Sequence, residues 1–189
     1  MSDFGNKTLE YFQNNLYEAY GSYYCWKVLM GSKSKEIVSA DMAEQYVSIQ
    51  KVYPNFFLSI ERAQLVNFVL QVLHAFDQDK RAHSLYDVDK GLTEIFVSSN
   101  KDTISSLKKV RNKLFAHRDK NVSPIEAKLP SIDDLDAFFD NLIKFYNQLT
   151  RTENNSSTYF KVDDVVFEIE SLFQNISRGE NSRKHESKI

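Results

Sequence analysis

The chain has 189 residues, of which 42% are hydrophobic and 26% charged, and its formal net charge is -2. Only five Gly and three Pro interrupt regular structure, as expected of a compact intracellular domain. The single Cys25 excludes an internal disulfide, no stretch approaches the roughly 20 apolar residues of a membrane span, and no signal peptide opens the chain, so we expect a cytoplasmic protein without membrane contact.

Apolar residues recur at helical spacing almost everywhere, and no run of strict alternation indicates a sheet. The first predicted helix covers residues 7–30 and is rich in tyrosine. These tyrosines could stack nucleic-acid bases, although an aromatic stripe at helical spacing is more often core or subunit interface. A second helix is predicted over 35–52, and Pro54 suits the first turn of a third, over 56–76, which is the most apolar.

A loop then leads to a short helix whose start is marked by Ser84 and Asp87. Metal binding by Asp77, Asp79 and His83 in this loop is the alternative to a solvated acidic loop. Their spacing matches no calcium loop and no zinc site. We therefore predict no metal site and no cofactor.

The next helix is predicted to be amphipathic, with Asp102 or Thr103 at its start. Its apolar stripe consists of Ile104, Leu107, Val110 and Leu114. His117 is followed by polar residues and then by Pro124, so we expect the His in the last helical turn or just beyond it, accessible to solvent.

Ser131 and Asp134 predict the start of another helix, which runs to about Arg151. The segment 162–176 again has helical spacing, although its β-branched valines leave a strand start open. Residues 178–189 are almost entirely polar and have no apolar face to bury. The sequence thus predicts one helical domain, 1–177, followed by a disordered polar tail, 178–189.

The residue types around the amphipathic helix suit the cleavage of RNA. The Arg111 guanidinium can grip a phosphate bidentately, and His117, with an ordinary pKa of about 6.5, can move a proton. RNA supplies the nucleophile, its 2'-hydroxyl, so transesterification needs no metal. Further positive charge for RNA binding comes from Lys108, Lys109, Lys113, Arg118 and Lys120. The alternative is that these basic residues are solvated and stabilise the helix C-terminus.

The pattern of Arg111, Asn112 directly after it, and Ala116 directly before His117 resembles the signature of the HEPN superfamily, many of whose members are ribonucleases. The order of Trp26, a long apolar helix, the 76–85 connection and this motif resembles the AbiU-type, abortive-infection branch over about residues 20–150.

This resemblance implies a helical bundle of about five to seven helices, with Arg111 and His117 as the catalytic pair and Asn112 supporting the geometry of the site. Arg118 and Asp119 follow the His, whereas the toxin branch regulated by a nucleotidyltransferase has a Tyr two residues after it, so we do not expect control by Tyr modification.

A homodimer is expected on geometric grounds. In an ideal helix, six residues separate the two side chains by about 120° around the axis and by about 9 Å along it, so one helix alone does not bring them together. A two-fold dimer can place two motif helices at one cleft, as HEPN ribonucleases are understood to do.

Two functions from different classes fit the sequence. The first is a metal-independent endoribonuclease of a stress or phage-defence system, of the abortive-infection or toxin-antitoxin kind. It would cut tRNA, mRNA or rRNA and be controlled by a cognate inhibitor or sensor protein. The second is a non-catalytic helical module that binds RNA or a protein partner. An accessible His117 in a basic dimer cleft favours the enzyme, and burial of His117 against a core carbonyl favours the module. Nucleotide binding is a remote third.

Overall fold

The computed structural model describes residues 3–31, 40–79, 81–115, 128–154 and 163–186. A short 3-10 helix, Leu85–Asp87, and seven α-helices lie within these ranges. The α-helices are α1 (Asp3–Gly31), α2 (Ala40–Val52), α3 (Pro54–Ala75), α4 (Lys90–Ser99), α5 (Lys101–Phe115), α6 (Ile132–Asn154) and α7 (Asp163–Glu186). No strand occurs in the described ranges, which confirms the predicted all-α fold.

Local sequence signals place several helix starts as predicted. α3 begins at Pro54, whose missing N–H costs nothing in a first turn. The backbone N–H of Ser84 donates to Asp87 Oδ2 at 2.9 Å, just before the 3-10 helix. At the start of α6, Ser131 Oγ accepts from the Asp134 N–H at 3.1 Å and the Ser131 N–H donates to Asp134 Oδ2 at 3.3 Å, which is the reciprocal arrangement of a capping box.

The chain between residues 88 and 104 differs from the prediction, because α4 was not predicted and α5 begins before Asp102. Asp89 caps α4 by accepting the Leu92 N–H at 2.9 Å. Asn100 alone separates α4 from α5: its side chain donates to the Phe96 carbonyl at 2.9 Å, and its own carbonyl accepts the Ile104 N–H at 3.0 Å. One residue therefore both ends α4 and begins α5.

The C-terminal region also differs from the predicted disordered tail, since α7 continues to Glu186. Its last turns are held by contacts that do not require an apolar face. Arg183 Nη1 lies 3.1 Å from Glu180 Oε1, and the Tyr53 hydroxyl donates to the same carboxylate oxygen. The contact with Tyr53 joins residues far apart in sequence, which is why local composition did not reveal it.

The contacts divide the chain into two compact units. Unit 1 consists of residues 1–20 and 66–160, and unit 2 of residues 21–65 and 161–189. The boundaries fall inside α1 and α3, so each of these helices contributes a segment to both units. A single domain ending at residue 177 stays a prediction.

The core of unit 1 is built around Phe96 of α4. Its ring stacks on Phe145 of α6 at 4.5 Å and on Phe76 at 5.1 Å. Tyr146, also on α6, donates its hydroxyl to the Leu9 carbonyl of α1 at 2.5 Å. α5 contacts both α4 and α6, so this core supports the helix that carries the predicted motif.

The core of unit 2 is an aromatic stack. Phe57 of α3 lies parallel to Phe173 of α7, with ring centroids 5.2 Å apart, and Tyr46 of α2 packs on Phe173 at 4.1 Å. The same buried cluster also contains Leu29, Ile49 and Ile169. Cys25 packs against it half-buried, and burial raises the pKa of its thiol, so this cysteine is a poor nucleophile.

Among the described helices, α3 alone is long and apolar enough to cross a membrane by length and composition, a test that core helices of soluble proteins also pass. Glu61 and Arg62 lie in its middle. Phe68, Val69 and Val72 of its C-terminal half are buried in unit 1. The cytoplasmic location stays a prediction.

Candidate functional site

α5 carries its apolar and basic residues on different faces, as the sequence predicted. Ile104, Leu107 and Val110 are buried, each less than a tenth exposed. In the C-terminal half of the helix, the exposed lysines are Lys108, Lys109 and Lys113. The buried stripe fixes the helix against its neighbours, so the lysines are held at the surface by the same amphipathic pattern.

Lys108, Lys109 and Lys113 form no ion pair with any carboxylate in the described part of the chain. Asp102, the acidic residue of the first turn, lies about two turns from Lys109 along the helix. The C-terminal half of α5 is therefore a local positive surface on a chain of nearly neutral net charge. Such a surface attracts a polyanion.

Arg111 lies beside the buried stripe of α5 and is itself half-buried. Its Nε and Nη2 atoms donate to Asn112 Oδ1 at 3.3 and 3.2 Å. These bonds use two of the five guanidinium N–H groups, and no other acceptor in the described residues contacts Arg111. Three donors in a planar fork remain for a phosphate, and the Asn112 amide restrains the direction in which the fork points.

Some of the predicted site lies outside the described residues. These are His117, Arg118 and Lys120, together with Ala116 of the motif. The described half of the site brings together Arg111, Asn112 and the three lysines on two turns of one helix. The catalytic and RNA-binding roles of all eight residues stay predictions.

A second cationic surface, not foreseen from the sequence, lies on the outer face of α6 in unit 1. Lys144 and Arg151, two helical turns apart, line a cavity of about 470 Å³ with Asn147, Gln148 and Thr152. Four of the five acidic residues of α6 lie in its N-terminal half, namely Asp133, Asp134, Asp136 and Asp140, and the fifth, Glu153, lies in its last turn. This segregation of charge along one helix was the available sequence signal, although the helix dipole favours the same arrangement.

The acidic loop before the 3-10 helix is organised by its own hydrogen bonds. Asp79 pairs with Arg81 at 2.7 Å, and this guanidinium holds the pKa of the Asp79 carboxyl below its usual range. Asp77 Oδ1 accepts the Asp79 N–H at 3.0 Å. Throughout the described ranges, no three His, Cys, Asp or Glu side chains lie close enough to hold a metal ion.

The HEPN family model described as AbiU2 matches residues 1–171, which cover unit 1 and most of unit 2 and include the whole of the Arg111 to His117 motif. No curated protein and no solved structure matches the chain.

Proposed function

Because the chain belongs to the AbiU2 family of HEPN proteins, a family associated with abortive infection, we propose that it is a metal-independent endoribonuclease of a phage-defence or stress system. The proposal rests on the Arg111-Asn112-x4-His117 motif of the sequence. Its Arg111 lies in the basic C-terminal half of α5 and keeps three N–H donors for a phosphate.

The proposed chemistry follows from the side chains of His117 and Arg111 and from the 2'-hydroxyl of RNA. Neutral His117 takes the proton of the RNA 2'-hydroxyl, and His117 in its protonated form gives a proton to the leaving 5'-oxygen. Arg111 stabilises the charge that develops on the phosphorane. The attacking and leaving oxygens both belong to the RNA, so the products are a 2',3'-cyclic phosphate and a 5'-hydroxyl end. Lys108, Lys109 and Lys113 hold the backbone of the substrate through charge alone.

We further propose that the active form is a cytoplasmic homodimer, with one motif from each subunit at a common cleft. This arrangement overcomes the divergence that an ideal helix would impose on Arg111 and His117. A tRNA, mRNA or rRNA is the proposed substrate, and a cognate inhibitor or sensor protein the proposed control.

The alternative is a non-catalytic module in which Arg111 and Asn112 hold helix ends together. Among the described residues, however, the two side chains bond to each other and Arg111 reaches no acceptor on another helix. That observation favours a role of the Arg111 guanidinium in binding a ligand over a role in holding helix ends together.

The test is cleavage of total RNA and of a tRNA pool in EDTA by the wild-type chain, Arg111→Ala and His117→Ala, with product ends examined for cyclic phosphate. We expect cleavage that both substitutions reduce by at least about a hundredfold, as loss of acid-base or electrostatic catalysis does.

Matched controls are His83→Ala and Arg62→Ala, which remove an exposed His and an exposed Arg outside the motif and should leave the rate unchanged. Salt-sensitive RNA binding without cleavage, equal in all five proteins, would instead support the non-catalytic module.

A further inference from the structure

Unit 2 contains a groove that the proposed ribonuclease does not use. It lies between the start of α3 and the last turns of α7 and has a volume of about 540 Å³. Tyr53, Phe56 and Phe57 line one side, and the other side is lined by four residues of α7, Ile176, Gly179, Glu180 and Arg183. We call it the aromatic groove. Its volume is within the roughly 300–1,000 Å³ of small-molecule sites.

The inner wall of the aromatic groove is held by the core of unit 2. Phe57 is 2% exposed and stacks on Phe173, so its ring cannot turn away without disturbing the aromatic stack. Phe56 meets Phe57 edge-on at 5.3 Å but is itself 53% exposed. A ligand in the groove would therefore meet a fixed aromatic wall and cover the exposed ring of Phe56.

The polar rim of the groove carries no net charge. Glu180 Oε1 accepts hydrogen bonds from the Tyr53 hydroxyl and from Arg183 Nη1, and the Glu180 side chain is only 20% exposed. Arg183 is 73% exposed and keeps further donors. Because the two rim charges neutralise each other, a charged ligand gains little, whereas a hydrogen-bond acceptor can bind to Arg183.

We propose that the aromatic groove is a binding site for a neutral aromatic small molecule, with its rings against Tyr53 and Phe56 and its polar end toward Arg183. Apolar burial and ring packing supply the affinity, and the single guanidinium orients the molecule. The proposal stands independently of the ribonuclease, since it uses no residue of the motif.

Gly179 gives a direct way to close the site. It lines the groove on α7, and a Cβ built on it meets no atom within 4 Å. A larger side chain there has room to enter the groove, and replacing a helical Gly favours the helix. Gly179→Leu should therefore fill the site without harming the fold. Asn181→Leu is the matched control, because it adds the same side chain to an exposed position of α7 that does not line the groove.

The experiment titrates the full chain with N-phenylnaphthylamine, a neutral aromatic probe that fluoresces in apolar sites, and in parallel with its anionic relative anilinonaphthalene sulfonate. We expect saturable binding of one neutral probe per chain, weakened at least about tenfold by Gly179→Leu and less than about twofold by Asn181→Leu. The anionic probe should bind more weakly than the neutral one.

Circular dichroism and melting of both variants verify that α7 is intact. The proposal is overturned if binding is non-saturable, or equal in the two variants, or stronger for the anionic probe. It is also overturned if Gly179→Leu lowers the oligomeric mass and the neutral probe does not bind, because a second copy of the chain would then occupy the groove.

Discussion

Arg111 and Asn112 are adjacent in sequence, yet the bond between their side chains is the most specific feature of the described half of the site. If Asn112 orients the guanidinium, Asn112→Ala should lower kcat for RNA cleavage about tenfold and change KM little, since a positioned group contributes mainly in the transition state. Single-turnover cleavage over a range of enzyme concentrations measures both, because the plateau gives the rate of the chemical step and the half-saturating concentration reports substrate binding. Asn141→Ala, an exposed Asn on α6, is the control, and an unchanged rate in Asn112→Ala would assign Asn112 to the surface.

Two buried tyrosines differ in how their hydroxyls are satisfied. The Tyr46 hydroxyl is buried and meets no hydrogen-bond partner among the described residues, whereas Tyr146 donates to the Leu9 carbonyl. Removing an unsatisfied buried hydroxyl relieves its desolvation cost. We therefore expect Tyr46→Phe to raise the free energy of unfolding by about 1 kcal/mol and Tyr146→Phe to lower it by about 1 kcal/mol.

Urea unfolding of the two variants beside the wild-type chain checks this pair. Both substitutions remove one oxygen from an almost fully buried ring, so packing is matched and the difference reports the hydrogen bond. Destabilisation of similar size in both variants would mean that the Tyr46 hydroxyl has a partner in the folded protein.

At the scale of elements, α5 is proposed to bind the RNA backbone through charge. Each phosphate contact to single-stranded RNA contributes about 0.7 to the slope of log K against log salt. The triple substitution of Lys108, Lys109 and Lys113 by Gln should lower the magnitude of this slope by up to about 2. Binding isotherms of a catalytically inactive His117→Ala background over a range of salt concentrations measure it.

The control for this slope replaces three exposed lysines outside α5, which are Lys51, Lys90 and Lys128. An equal change of slope in both triple variants would mean that net charge, and not the α5 surface, determines RNA affinity.

The contact between Tyr53, which lies between α2 and α3, and Glu180 of α7 predicts a pH dependence in the alkaline range. The hydrogen bond to Glu180 raises the pKa of Tyr53 above its ordinary value of about 10, because the neutral phenol is the donor. Stability from this contact is therefore complete below the unfolded pKa and is lost as pH rises through the higher folded pKa. Titration of isotope-labelled tyrosines by NMR should show the Tyr53 pKa fall in Glu180→Gln, and a pKa unmoved by that substitution would exclude the hydrogen bond as its cause.

Local signals predicted those elements whose cause is local. α3 and α6 follow from apolar periodicity and from Pro54 and the Ser131 cap, and Arg111 was placed on α5 by the same logic. α4 was missed because its cap, Asp89, precedes only three helical turns. The helical end of α7 was missed because its partner Tyr53 lies 127 positions away. The Arg111 to Asn112 bond depends on rotamers, which periodicity does not specify.

At the scale of the whole molecule, the proposed cleft requires two chains, and this can be tested with inactive variants. Arg111→Ala and His117→Ala each lack one half of the catalytic pair. If Arg111 of one subunit acts with His117 of the other, a mixed dimer retains one complete pair. Mixing equal amounts after mild unfolding and refolding makes about half of the dimers mixed, so we expect cleavage to return to a fraction of the wild-type rate.

The same mixture distinguishes a catalytic pair shared between two subunits from a pair formed within one chain. A pair formed within one chain is broken in every mixed dimer, so the mixture would remain as inactive as its components. The double variant Arg111→Ala, His117→Ala mixed with wild-type chain supplies the converse control, because its mixed dimers contain an intact pair only if that pair lies within one subunit. Recovery in the first mixture, with activity in the second no greater than its wild-type homodimers provide, would establish a site shared between subunits.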